Sequence, residues 1–146
     1  MEAAARGVRV TLLLQGRVEY VLLHYASRAL YGAFLDAGIH ISEYHKSFLH
    51  AKVAVIDGKW ATVGSSNIDP FSLLLAREAN VVVRDRAFAA ALRASLIAAM
   101  AEGARDVKRE RWRQQPLAVR IATWTAYGVA RLLTGMFAYG RAREFN

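Results

Sequence analysis

Cysteine is absent from the sequence, which excludes a disulfide framework and any thiolate nucleophile or metal ligand, and leaves the compartment open. No apolar run reaches the ~18 uncharged residues of a spanning helix, because Arg120 and Arg131 interrupt the one long candidate, Leu117 to Tyr139. The N-terminus lacks the basic, apolar and small-residue succession of a secretory signal, so a cytoplasmic start is expected. No His, Asp and Glu group has metal-ligand spacing, and no metal or other cofactor is expected. Apart from alanines near residues 87 to 104 there is no low-complexity tract, and no internal repeat. Acidic residues are scarce towards the C-terminus: residues 105 to 146 hold nine Lys or Arg against three acids, net +6, whereas residues 1 to 104 hold eleven against nine. What is present in quantity is apolar, 55% of 146 residues. That is enough for one buried core and excludes a disordered chain. A nearly neutral body, residues 1–104, is thus followed by a basic tail, residues 105–146, suited to an anionic partner such as a membrane surface or a nucleic acid.

The pattern along the body is mixed α/β with helices against a sheet. "GVRVTLLL" (Gly7 to Leu14) is short and β-branched, a buried strand, and "MEAAAR" before it reads as the last turn of a helix. Its shortness suggests that the chain begins inside an element of a longer protein. Residues Glu19 to Ala37 carry apolar side chains at helical spacing and stop at Gly38. Strands follow at Ile39 to Tyr44, Val53 to Ile56, Trp60 to Val63 and Ala79 to Val83, with Asp57-Gly58 as the hairpin turn between the second and third. Asp69-Pro70 suits the start of a short helix to about Leu75. Asp85 caps a long helix to about Gly103 that lines Phe88, Leu92, Leu96, Ala99 and Met100 on one face. In the tail, Arg120, Thr123, Tyr127, Arg131 and Thr134 form a polar stripe and Leu117, Ile121, Gly128, Leu132 and Gly135 an apolar or small one. That geometry favours a helix lying in a membrane interface with Trp112 and Trp124 as anchors, the alternative being a helix packed on a partner subunit.

The chemistry concentrates in "HAKVAVIDGKWATVGSSN", residues 50 to 67. On a strand, His50 and Lys52 share a face. An imidazole beside an ammonium suits a phosphoryl group, one reacting or moving protons and the other neutralising oxygen charge. The hairpin returns Gly64 to Asn67 towards His50, offering close backbone approach, hydroxyls and a carboxamide. Blander readings stand beside these. His50 and Lys52 could be solvated strand residues, Asp57 is sufficiently explained by its turn, Asn67 could serve an Asx turn, and Asp69 a cap. His24 and His40 read as structural, while His45 and Lys46 either line the approach or sit in a solvated loop.

The succession His50-x-Lys52-x4-Asp57 and Gly64-Ser65-x-Asn67 resembles the signature of the phospholipase D superfamily. The strings "LLLQGRVEYVLLHYASRALYGAFLDAGIHISEYHKSFLHAK" and "SFLHAKVAVIDGKWATVGSSNIDPFSLLLAREANVVVRDRAF" are similar to the second catalytic half of bacterial cardiolipin synthases, over about residues 5 to 115. The resemblance implies metal-free phosphatidyl or phosphoryl transfer in two steps through a phosphohistidine. It makes His50 the nucleophile or acid/base and places Lys52 and Asn67 on phosphate oxygens with Ser65 in support. Glu78 would hold the imidazole nitrogen opposite the reacting one, a surface pair with Arg77 being the competing role. Asp57 belongs to the motif as well. Family members use two facing His-x-Lys motifs, and here His24, His40 and His45 are followed two residues on by Ala26, Ser42 and Ser47. Either two copies dimerise or an N-terminal catalytic half lies elsewhere. The expectation is a cardiolipin synthase-type phosphatidyltransferase acting on anionic phospholipid at the cytoplasmic face of the bacterial membrane. A nucleic acid is not the expected partner, since the excess charge sits in an apolar-rich tail. A homodimeric phosphodiesterase or nuclease, and a catalytically silent membrane-associated fragment, are the alternatives.

Overall fold

The computed structural model describes residues 1–18, 20–66 and 78–144, with the backbone alone at 134 and 136–144. A short helix α1 (Glu2–Ala5) leads into β1 (Thr11–Gln15), which lies parallel to β2 (His40–Tyr44). Parallel neighbours need a crossover, and here it consists of two helices, α2 (Val21–Arg28) and α3 (Tyr31–Asp36). The single helix expected over Glu19 to Ala37 is therefore broken at Ala29 and Leu30. The break lets each half serve a different surface. Tyr31 and Leu35 of α3 close the core on Ile41, with Leu12, Leu14, Phe34, Val107 and Trp112 packed around them, while α2 runs along the C-terminal helix. Gly38 ends α3 at φ +78°, and Ile39 N–H reaches back to Phe34 O at 3.0 Å, a left-handed termination open to glycine at little cost.

The expected α/β architecture is present, its strands divided between two small sheets. In the first, β6 (Ala104–Asp106) pairs antiparallel with the free edge of β2, giving the order β1-β2-β6. The second is antiparallel, β3 (Lys52–Ile56), β4 (Trp60–Gly64) and β5 (Asn80–Val83). Its hairpin turns at Asp57 and Gly58, both at positive φ (52° and 60°) as a type I′ turn demands, closed by Lys59 N–H to Ile56 O at 3.1 Å.

Helix α4 (Arg86–Gly103) bridges the sheets, packing on β3 and β4 of one and on β2 and β6 of the other. Asp85 caps it, accepting from Phe88 N–H at 2.6 Å. Its inner face carries Leu92, Leu96, Ala99 and Met100 as expected, but Phe88 points to solvent. Where α4 meets β4 the enclosed residues are Ala89 and Ala61, a close approach with no room for a ring.

Two arginines of α5 (Arg109–Arg113) donate to Asp36 Oδ1, Arg109 Nε at 2.7 Å and Arg113 at 2.9 Å, and hold that carboxyl below its ordinary range. Trp112 is not a free interfacial anchor. Its ring lies 5.1 Å from that of Tyr31 and forms part of the core wall. Helix α6 (Leu117–Glu144) lies along α2 with an inverted face. Thr123, 5% exposed, turns inward with Tyr127 half-buried, whereas Leu117 at 68%, Trp124 at 57%, Ile121 and Leu132 face solvent. The Thr123 hydroxyl is satisfied by Val119 O at 2.8 Å. Among the described residues no helix is long and apolar enough to cross a membrane.

Candidate active site

Lys52 opens β3, and the strand register sets it opposite Gly64, which in turn sits opposite Asn80. That rung defines one end of the second sheet, and the chain just beyond it on each strand carries the polar residues. His50 precedes β3, Ser65 and Ser66 follow β4, and Glu78 precedes β5. His50 is exposed and Lys52 half-buried, and Lys52 Nζ contacts His50 Nε2.

A second cluster lies on the neighbouring strands. Ser65 Oγ donates to Glu78 and accepts Ala79 N–H at 3.0 Å, while Ser65 N–H donates to Ala79 O at 3.0 Å. Asn80 Nδ2 donates to Ser66 Oγ at 2.6 Å. Gly64 makes this approach possible. A Cβ there would fall on Asn80 Oδ1 and lie 2.6 Å from Ala79 O. The strands thus carry His50, Lys52, Ser65 and Glu78 to one sheet end, with Glu78 joined to Ser65 rather than to the His50 ring. Asp57 is at the opposite end of the hairpin, five residues or about 17 Å of strand from Lys52, where it forms the turn. Asn67 lies outside the described residues, as do Asp69, Arg77 and the helix expected from Asp69 to Leu75.

The other histidines take structural positions. His40 Nε2 is 3.1 Å from both Ser42 Oγ and Asp106 Oδ1 on the first sheet. His24 is half-buried, and its environment, burial first and the Arg28 charge second, holds it below the ordinary imidazole value. His45 and Lys46 are both engaged. Nε2 of His45 is 3.7 Å from Glu43, and Lys46 Nζ bonds Glu102 at 2.7 Å.

The sequence reading passed over Glu43 and Gln15. Glu43 is buried and takes Arg28 NH2 at 2.6 Å, and burial together with the Glu43 charge pushes the Tyr31 hydroxyl up. Alternation with Ile41 already placed Glu43 on the core face of β2, and an acid there requires a partner. Gln15 ends β1 with its Oε1 accepting Leu49 N–H at 3.2 Å. A polar residue closing an apolar strand was the available signal.

Residues 1–100 match the family described as "Cardiolipin synthase, PLD-like domain", PLD being phospholipase D. The chain belongs to this family. Among curated proteins it is 46% identical over 95 residues to cardiolipin synthase B of Escherichia coli strain K12 and 45% identical over 95 residues to that of Salmonella typhi, each alignment covering 65% of this chain and 23% of the relative. It is also 33% identical over 132 residues to a cardiolipin synthase of Geobacillus sp. strain WCH70, covering 90% of this chain and 25% of the relative. The chain therefore spans about a quarter of the length of these relatives. The cardiolipin synthase-like, phospholipase D-like domain comprises the second sheet, β1 and β2 of the first and most of α4, whereas β6, α5 and α6 lie beyond the matched residues.

Proposed function

We propose that this domain contributes half of a metal-free phosphatidyl-transfer site for phospholipid synthesis, with His50 as nucleophile. The observation that carries this reading is the Lys52–Gly64–Asn80 rung, which gathers His50, Lys52, Ser65 and Glu78 at one sheet end. His50 Nε2 attacks the phosphorus of an anionic phosphodiester, the P–O bond to the departing alcohol breaks, and a second histidine protonates that alcohol. The second histidine, now neutral, takes the proton of the incoming alcohol, which attacks the phosphohistidine and frees Nε2. Lys52 and Asn67 bind the phosphate oxygens, Lys52 offsetting their charge, and Ser65 supports that cradle. Glu78, on exchanging Ser65 for the imidazole, orients the ring from its far nitrogen and stabilises its charge.

The second histidine comes from a second His-x-Lys unit, either another copy of this chain or another half. Apolar surface beside the site supports this. Val63 and Val81, on the rung next to Lys52, are exposed. The tail brings the domain to an anionic bilayer at the cytoplasmic face of the cell membrane. Its outward Leu117, Ile121, Trp124 and Leu132 are accompanied by exposed Arg120 and Arg131, and residues 111 to 143 contain no acid.

The test is incubation with phosphatidylglycerol vesicles and, separately, with single-stranded DNA. Cardiolipin formed by the wild type and lost in His50→Ala supports the reading. DNA cleavage without lipid turnover overturns it in favour of a phosphodiesterase. Failure of the wild type to sediment with the vesicles removes the tail's role.

A further inference from the structure

Three consecutive residues at the end of β1 each hold a different point of the loop that delivers His50. Gln15 Oε1 takes the N–H of Leu49, the residue immediately before His50, at 3.2 Å. Gly16 lies under the His45 ring, so close that a Cβ there would sit within 2.8 Å of three ring atoms. The Arg17 guanidinium stacks over Phe48, 4.9 Å from the ring centroid. The far side of the loop is held as well, by His45 N–H on Gly103 O at 2.8 Å and by the Lys46–Glu102 pair at 2.7 Å. Behind His45 stands the buried Glu43 carboxylate, 3.7 Å from Nε2 and bonded to Arg28.

We propose that Gln15 is a positioning residue for His50, with Gly16 and Arg17 completing a clamp that sets where the imidazole stands relative to Lys52. This rests on the reading of His50 and Lys52 as a phosphate-binding, reacting pair. His50 lies two residues before β3 and is exposed, so the sheet brings it to the Lys52 end without fixing its ring. The Leu49 amide is the last backbone group before His50 that a side chain of the first sheet holds. Releasing it frees His50 to swing about Ala51 while Lys52 stays in register with Gly64. Gln15 Nε2 is enclosed and has no partner among the described residues, so only the oxygen end of this side chain bonds the loop.

The full chain is compared with Gln15→Leu, which removes the acceptor at similar size, and Gln15→Glu, which keeps an oxygen for Leu49. Two readouts are used, amide hydrogen exchange at Leu49 and titration with inorganic phosphate followed at the His50 and Lys52 resonances. Gln15→Leu is expected to speed Leu49 exchange about tenfold, the factor equal to about 1.4 kcal/mol. It is also expected to weaken phosphate binding at His50 by several-fold while a distant amide in α4 keeps its protection. Gln15→Glu is expected to restore Leu49 protection. The clamp is overturned if phosphate perturbs His50 and Lys52 equally in wild type and Gln15→Leu, or if Leu49 exchange is unchanged. If phosphate fails to perturb the pair even in wild type while Gln15→Leu still releases Leu49, the phosphate-site reading has failed and the proposal falls with it.

Discussion

Gly64→Ala tests how the two halves of the site are held together. The new methyl meets Asn80 Oδ1 and Ala79 O. These two obstacles differ in kind. The Asn80 carboxamide can rotate away, giving up its bond to Ser66. The Ala79 carbonyl is backbone, 2.6 Å from the added Cβ where ordinary contact begins near 3.4 Å. Clearing it requires a movement of roughly 0.8 Å, enough to part Ser65 N–H from Ala79 O, now 3.0 Å. Overpacking of about 1–3 kcal/mol and the loss of a hydrogen bond worth about 1 kcal/mol oppose a gain of about 0.4–1 kcal/mol from a less flexible unfolded chain, leaving a net loss of about 2 kcal/mol. In a 146-residue chain that corresponds to a Tm lower by about 4–8 °C. Urea denaturation followed by circular dichroism reads the loss, and the double variant Gly64→Ala/Asn80→Ala separates the causes. Removing the Asn80 side chain leaves the carbonyl collision, so less than half of the loss is expected to return. Full recovery in the double variant, or no loss in the single one, would refute the backbone-approach reasoning.

Arg28→Met strands the Glu43 carboxylate, whose side chain is 10% exposed against 24% for Arg28. The expected cost is about 2–4 kcal/mol by urea denaturation, most of it recovered in Arg28→Met/Glu43→Leu, and equal losses in single and double variants would show that the pair is not coupled. His24, held below its ordinary 6.5 by burial and by Arg28, binds its proton more readily in the unfolded chain. Stability is therefore full above about pH 6.5 and falls as the pH drops from there towards the folded-state value. His24→Gln should flatten that limb, and an unchanged slope between wild type and variant counts against the assignment. Asp85→Ala should cost about 1 kcal/mol and speed amide exchange at Phe88, the N–H it now holds; undiminished protection at Phe88 would mean that the cap is not stabilising.

Features decided within a few residues were legible in the sequence. Asp57-Gly58 turns where a type I′ turn needs two positive φ values, and Asp85 caps the helix it precedes. Features decided by distant partners were not. The break at Ala29 and Leu30 exists because α2 lies along α6, some ninety residues further on, while Tyr31 and Leu35 are drawn to Ile41. Glu43 was marked by its core-facing register, yet its Arg28 partner lies on another element, and Gln15 bonds a loop thirty-four residues away. The convergence of His50, Lys52 and Ser65 was foreseeable from the hairpin alone, since antiparallel return is a local rule. Attachment of Ser65 to Glu78 depended on a third strand whose register the sequence did not specify.

The tail shows the same limit in energetic terms. Helical spacing separates its residues into two stripes, but periodicity cannot say which stripe meets the protein. On α6 part of the polar stripe does, Thr123 and Tyr127 turning inward where the helix runs along α2, whose one buried residue is the small Ala26. A buried hydroxyl is tolerable there once Val119 O accepts it. Leu117, Ile121, Trp124 and Leu132 are left in water, although burial of each such side chain is worth about 1.5–3 kcal/mol. The sum favours a covered state over a bare one. Under the proposed function that cover is anionic, matching Arg120 and Arg131, which have no acid between residues 111 and 143 to offset them. The triple variant Leu117→Ser/Ile121→Ser/Leu132→Ser should accordingly release the chain from phosphatidylglycerol vesicles with little change in Tm, since those side chains are mostly exposed within the fold. A falling Tm with vesicle binding retained would place the stripe inside the protein instead.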